Sequence, residues 1–527
     1  MRRKLSLAAA LMVLALSLAG CSGGGETPPT ESAATAGSTT SSAAASTTGS
    51  ASQQGGTTAE TSGNSSHNTE SNKTTQGKTT SAGNRPTAAP PAASEDPLKA
   101  DLGGQTIEIV TPYQNGIFNT KKNLSAYQNA CAERLSTLES QLNCKIKISV
   151  KPVDEMAEMA FTTISSGSKF ADILEVPIYG TSAYLSSQIA VNLRSISTLD
   201  LSKDYLNAGD AVNSSTFYNK TYFITCDDMI ADSGMGYFFN KRILKECGLE
   251  NPYDLVKNNK WTISKLRSMA QAATKDTDGK PGMSKSDQWG ILQTSYVADA
   301  AAAVLAASKA EMIKPDGKGG AVYNTDSKEV LDAISLCTQI FVTDGSCYAA
   351  TDGDQDLWNM FITGKGLFLG VGVNIAQKIM DMDDDYGFVP FPRSDSASSM
   401  NIGTNWNSSI LMVPSNPKAA NYDHIGRFLQ AFCKLSEDTA ETMYTEYSDR
   451  YFRDDQSVEM MELMASSQKI TTSSILGSTG DWGIHEGTYK ILYNCVPGKV
   501  SAISEIETYK PFSVSNLADL MYKLKEG

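Results

Sequence analysis

The sequence predicts an α/β fold, on three observations. From Thr106 onward, strand-like and helix-like periodicities alternate with short connections, the order that right-handed parallel crossovers produce. Roughly 430 residues of ordinary globular composition follow a long polar segment, enough for two lobes with separate cores. The second half keeps the mixture of elements, grows richer in helix and shows no internal repeat.

Each element has its own signal. Thr106–Val110 is a short β-rich run. Leu124, Tyr127, Cys131, Leu135, Leu138 and Leu142 recur every three or four residues, the stripe of an amphipathic helix. Ile146, Ile148 and Val150 then alternate with Lys145, Lys147 and Ser149 as in a half-buried strand. Met156–Ser166 reads as helix ended by Gly167, and Ala171–Val176 as a strand closed by Pro177. Further on, Thr262 can cap a helix to about Lys275, Ala298–Ala307 is Ala-rich, and Ser327–Val342 is strongly periodic. Leu367–Val371 and Ser409–Val413 are strand candidates. Helices are expected over Lys418–Cys433, Glu437–Tyr447, Gln456–Ser466 and Ser515–Leu524.

The first hundred residues are different. Arg2-Arg3-Lys4 precedes an apolar run from Leu5 to Leu18 that is too short to span a bilayer but suits a signal peptide over residues 1–20. Leu18-Ala19-Gly20-Cys21 resembles a lipobox, which implies a lipid-modified (palmitate-type) Cys21 and removal of the residues before it. From Ser22 to about Pro97 the chain is almost all Ser, Thr, Ala, Gly, Asn and Gln. Such a segment cannot bury enough apolar surface to offset its ordering entropy, so residues 21–100 are expected to act as a tether spanning roughly 50 Å.

Composition narrows the function. The net charge is −13, and losing Arg2, Arg3 and Lys4 with a signal peptide makes it more negative. No basic run remains to attract nucleic acid or an anionic membrane. The eight cysteines after Cys21 form no CxxC and are expected as buried free thiols. Three histidines, His67, His424 and His485, have no partner at metal-ligand spacing. There is no GxSxG elbow and no phosphate-binding GxxxxGK[ST], and the SxxK matches at Ser166 and Ser415 lack companion motifs. No enzyme, metal or cofactor is expected. Asp276-Thr277-Asp278-Gly279-Lys280 has the alternating oxygens of a calcium loop, but Lys280 stands where a third ligand belongs, so a polar turn is the simpler reading.

Several segments, in order, resemble the family 1 extracellular solute-binding proteins of sugar ABC importers. They are Tyr237-Phe238-Phe239-Asn240-Lys241, Cys247-Gly248-Leu249, Asn251-Pro252-Tyr253-Asp254-Leu255, Lys260-Trp261-Thr262 and Trp289-Gly290-Ile291. Met360 to Gly366, Tyr386 to Pro392, Val413-Pro414 and Arg453-Asp454-Asp455 follow, so the likeness covers most of 103–470. Phe223, where many members have Gly, and Lys280 depart from the pattern. The resemblance implies a two-lobe, periplasmic-binding-protein-like (type II) α/β fold with a hinge and an interlobe cleft. By analogy the N-terminal lobe is 103–228 plus 400–445, and the C-terminal lobe is 230–392 plus 446–527. It further implies a monomeric, lipid-anchored protein on the outer face of a Gram-positive cell membrane. There it would capture a small ligand, a sugar or oligosaccharide, for ABC permease subunits. A sensor component serving a receptor kinase is the alternative, and a surface polysaccharide-degrading enzyme is a more distant one.

Sugars present apolar C–H faces and rings of hydroxyls, so their sites pair aromatic rings with Asp, Asn and Glu. The expected ligand-binding residues follow strands or lie at the lobe crossings: Tyr113, Gln114, Tyr179, Asp228, Asp232, Asn374, Trp406 and Asn407. Trp261, Trp289 and Trp358 are expected in the core.

Overall fold

The computed structural model describes residues 96–293, 297–349, 354–404, 408–416, 421–477 and 482–527. The expected signal peptide, Cys21 and the tether up to residue 95 lie outside these residues, as do Trp406 and Asn407.

Two sheets organise the fold. Their strands in chain order are β1 (Thr106–Thr111), β2 (Lys145–Val150), β3 (Ile173–Pro177), β4 (Met235–Asn240), β5 (Trp289–Gln293), β6 (Cys347–Ala349), β7 (Gly366–Gly372), β8 (Tyr386–Pro390) and β9 (Ser409–Met412). The first sheet has the order β9-β3-β1-β2, with β1 parallel to β2 and β3, and β9 antiparallel to β3. The second has the order β6-β5-β7-β4-β8. Here β5, β6 and β7 run parallel, while β4 runs antiparallel to both β7 and β8.

The first sheet is covered on both faces. Helix α1 (Ala126–Gln141) starts where Ser125 accepts from the backbone N–H of Gln128 and the Gln128 side chain accepts from that of Ser125, a reciprocal cap worth about 1 kcal/mol. Leu135 and Leu138 of α1 pack with Ile107, Ile109 and Ile173 and with Phe428 and Phe432. Helix α2 (Val153–Ser165) ends before Gly167, whose φ of 79° suits glycine. On that opposite face Met156, Ala160 and Ile164 meet Val110, Leu174, Val176 and Ile410.

The second sheet carries longer buried runs. Every residue of β4, β5, β7 and β8 is buried, so these strands show no two-residue alternation. Their core centres on Trp261, Phe238, Phe368 and Phe388, with Phe238 and Phe388 ring centres 5.0 Å apart. A Cβ at Gly236 would lie 2.4 Å from the Phe388 ring, so this pairing of β4 and β8 requires glycine there. Trp261, Trp289 and Trp358 are all buried, as expected.

The lobes join at a narrow set of strands. Helix α3 (Asp227–Ile230) leaves the first lobe, Gly234 bridges antiparallel to Thr404, and Ile402–Gly403 pairs parallel with Gln468–Lys469. Packing redraws the expected lobe boundaries after this point. Ile313 and Ala321, and later Ile475, Ile484, Leu517, Leu520 and Leu524, bury their side chains against the first sheet, although analogy places 230–392 and 446–527 in the second lobe. Ile491, Leu492 and Ile506 return to the second core. The C-terminal helix, Ala502–Glu526, therefore touches both cores, and it extends well beyond the expected Ser515–Leu524 with Pro511 inside it.

Candidate functional site

The strand ends define where a site can form. The C-terminal ends of β1 and β3 and the start of β9 lie together, because Ser409 pairs with Pro177. In the second sheet the end of β7 meets the start of β4, Gly372 opposite Met235. Between them lies a space of about 210 Å³ lined by Tyr113, Glu175, Asp228, Asp232, Asn374 and Ser408, among others. A second space of about 280 Å³ shares Tyr127, Asp232, Asn374 and Met443 with it and adds Glu446, Tyr447 and Tyr451. Together they form one cleft with walls from both lobes.

Four of the expected residues, Tyr113, Asp228, Asp232 and Asn374, line this cleft. Gln114 is exposed and does not line it, and Tyr179 is half-buried next to it, close enough for its phenol to influence that of Tyr113. Sequence reasoning missed Glu175, Tyr127, Ser408, Met443 and Tyr447. Glu175 carries a signal, as the one acidic residue in the otherwise apolar run Ile173–Pro177.

The electrostatics are unusual for so enclosed a place. Asp228 is 1% exposed, and its Oδ2 sits 2.8 Å from Nη2 of Arg134, itself 4% exposed. The Cys226 thiol donates to the other Asp228 oxygen at 3.3 Å. Arg134 also donates to the Ile117 carbonyl at 3.3 Å and lies 4.0 Å over the Phe432 ring. Glu175 accepts from the Thr111 hydroxyl at 2.6 Å, yet burial pushes its carboxyl up to about 7. Burial likewise raises Asp232 to about 6, against the Tyr447 hydroxyl that donates to it at 3.5 Å. On the α1 side, Glu446 accepts from the backbone N–H of Tyr127 at 2.8 Å.

Two other features bear on where a ligand sits. Another space, about 390 Å³, lies behind the hinge strands between Asn213, Leu305, Thr404, Ile470 and Leu492. The parallel pair Ile402–Gly403 and Gln468–Lys469 ends at its wall, and among the described residues it holds none of the expected binding residues. The Asp276–Lys280 turn brings Asp276, Asp278 and Asp287 within one cation's reach. Asp287 is already occupied, accepting the backbone N–H groups of Thr277, Ser284 and Asp278 at 2.8, 2.8 and 3.2 Å, which hold its carboxyl well below the usual range.

No family model matches the chain, and no curated protein matches it. Solved structures do. The cyclic alpha-maltosyl-1,6-maltose binding protein of Arthrobacter globiformis superposes with a TM-score of 0.54 at 14% identity, over 81% of this chain and 100% of its own. The GacH receptor of Streptomyces glaucescens, solved unliganded and with acarbose, gives 0.52 at 15% identity, over 78% and 99%. An ABC substrate-binding protein of Listeria monocytogenes in complex with cycloalternan gives 0.50 at 15%, over 79% and 99%. The folded part of this chain therefore has the two-lobe, periplasmic-binding-protein-like α/β fold that these three proteins share.

Proposed function

We propose that this protein is a lipid-anchored extracellular solute-binding protein that captures a carbohydrate between its lobes and delivers it to an ABC permease. The observation that carries the proposal is the cleft at the converging strand ends, where Tyr113, Tyr127 and Tyr447 supply faces for C–H surfaces. Glu175, Asp228, Asp232, Asn374 and Ser408 supply hydroxyl partners beside them. Both lobes contribute to it, so a ligand that touches both walls holds them together, and the hinge strands are the natural axis of that closure. The neighbouring structures that bind sugars support the same ligand class.

The role asked of the site is binding, not turnover. Asp228 is held by Arg134, and each of the other carboxylates already accepts a protein hydrogen bond, so they serve as fixed acceptors. A thermal-shift screen of the intact protein against mono- and oligosaccharides tests the reading. A ligand at a hundred times its dissociation constant adds about 2.7 kcal/mol of stability. A shift with at least one carbohydrate is expected, and a flat response across the panel contradicts the proposal.

A further inference from the structure

We propose that the ligand of this cleft carries a protonated amino group, as an amino sugar or its oligosaccharide does. The inference rests on the carbohydrate reading and narrows it.

The ionisable side chains that line the two joined spaces are all acids or phenols. Glu175, Asp228, Asp232 and Glu446 are there, and among the described residues no Lys, Arg or His lines either space. Two cations stand beside the wall, and both are committed: Arg134 to Asp228 at 2.8 Å and Arg450 to Glu446 at 3.3 Å. Glu175 and Asp232 have no such partner. The groups facing Glu175 are the Thr111 and Ser409 hydroxyls, with Asp228, Tyr113 and Arg134 further off. Those facing Asp232 are the Tyr447 hydroxyl, Asp228, Tyr127 and Tyr444.

Chemistry then selects the ligand. A sugar hydroxyl both donates and accepts, whereas an ammonium offers three donors and no acceptor, which matches a wall of carboxylates. Tyrosine faces in the same cleft attract a cation as well. A second observation marks the same place as a ligand site: Ser408, 7% exposed, lines the space and its hydroxyl has no hydrogen-bond partner, so it can accept from an ammonium.

The linkage has a definite sign. In the empty cleft, burial holds Glu175 near 7 and Asp232 near 6. An ammonium beside them favours their ionised forms, so binding expels protons. Affinity for the amine should therefore rise from about pH 5 to about pH 6.5, where the amine still carries its own proton, a dependence that a neutral sugar does not share.

Calorimetric titration of the intact protein with a glucosamine tetrasaccharide, its N-acetylated counterpart and a neutral glucose tetrasaccharide tests this. The amine form should bind about tenfold or more tightly at pH 6.5 than the other two, with a heat that varies with the ionisation enthalpy of the buffer. Asp232→Asn should weaken binding of the amine form by about tenfold more than it weakens binding of the other two. The rise of wild-type affinity with pH reports on the same carboxylates without any variant, and a flat profile for the amine overturns the inference. Equal or tighter binding of the neutral or N-acetylated sugar also overturns it and leaves the carbohydrate reading standing. Tight binding of an aliphatic polyamine with no sugar bound at all overturns the carbohydrate reading and, with it, the assignment of an amino sugar.

Discussion

Asp228→Ala removes the counter-charge of a guanidinium that has nowhere else to go. The Arg134 and Asp228 side chains are 2% and 0% exposed and 2.8 Å apart. Without Asp228, Arg134 keeps the Ile117 carbonyl at 3.3 Å and the Phe432 face at 4.0 Å, while its Nε and Nη1 already lack hydrogen-bond partners. Removing one member of a buried pair costs about 3–5 kcal/mol, because the other charge stays desolvated and unpaired. The lower end is expected here, since Asp228 lines the cleft and its removal admits water. Replacing both residues, Arg134→Met with Asp228→Leu, should recover most of the loss. Urea midpoints for the two single variants and the double variant complete the cycle. A loss below about 0.5 kcal/mol in Asp228→Ala, or a double variant less stable than either single one, would refute the argument that this pair is a closed electrostatic unit.

Other outcomes follow from the same account. Cys21→Ala should release the protein into the medium or leave it unprocessed, as cell fractionation would show; a variant still cleaved and membrane-bound contradicts the anchor. The eight cysteines are free and six are buried, so a thiol reagent should label most of them only after denaturation, without reductant. Trp358, 3% exposed, should cost about 3–5 kcal/mol when cut to Ala. Trp406→Ala should instead weaken ligand binding by about tenfold with an unchanged melting temperature, and calorimetry on both variants separates recognition from packing.

The parts of the fold that are legible in the sequence are those with one wet face. α1 buries Cys131, Leu135 and Leu138 at helical spacing, and in β2 the half-buried Ile146 and Ile148 alternate with exposed Lys145 and Lys147 until the pattern fails at Val150, which is exposed at the sheet edge. The strands of the second sheet do not alternate, because both faces are covered, and Met235–Asn240 is visible only as a family-like segment. The C-terminal helix reads short in the sequence because Pro511 normally ends a helix, yet here it lies inside one. Lobe boundaries escape sequence reasoning for a similar reason: Ile313 or Leu520 in sequence says only that a residue is buried, not against which sheet. At the site, Tyr113, Asp228, Asp232 and Asn374 are reachable because they follow strands or sit at a crossing. Tyr127, Met443 and Tyr447 belong to helices whose approach to the cleft is set by packing across hundreds of residues, which no local pattern encodes.

Two spaces of comparable size, the interlobe cleft and the one behind the hinge, give the account its most direct test. Asn374 is exposed at the mouth of the cleft and lines both of its halves, while Lys469 is exposed and lines the other space. Asn374→Trp should fill the cleft and Lys469→Trp the space behind the hinge, each at a position where the fold tolerates bulk. Titrating the carbohydrate that gives the largest thermal shift, the account predicts that Asn374→Trp weakens binding about a hundredfold or more and that Lys469→Trp leaves it unchanged. Loss of binding in Lys469→Trp with full affinity in Asn374→Trp would place the ligand behind the hinge and contradict the account.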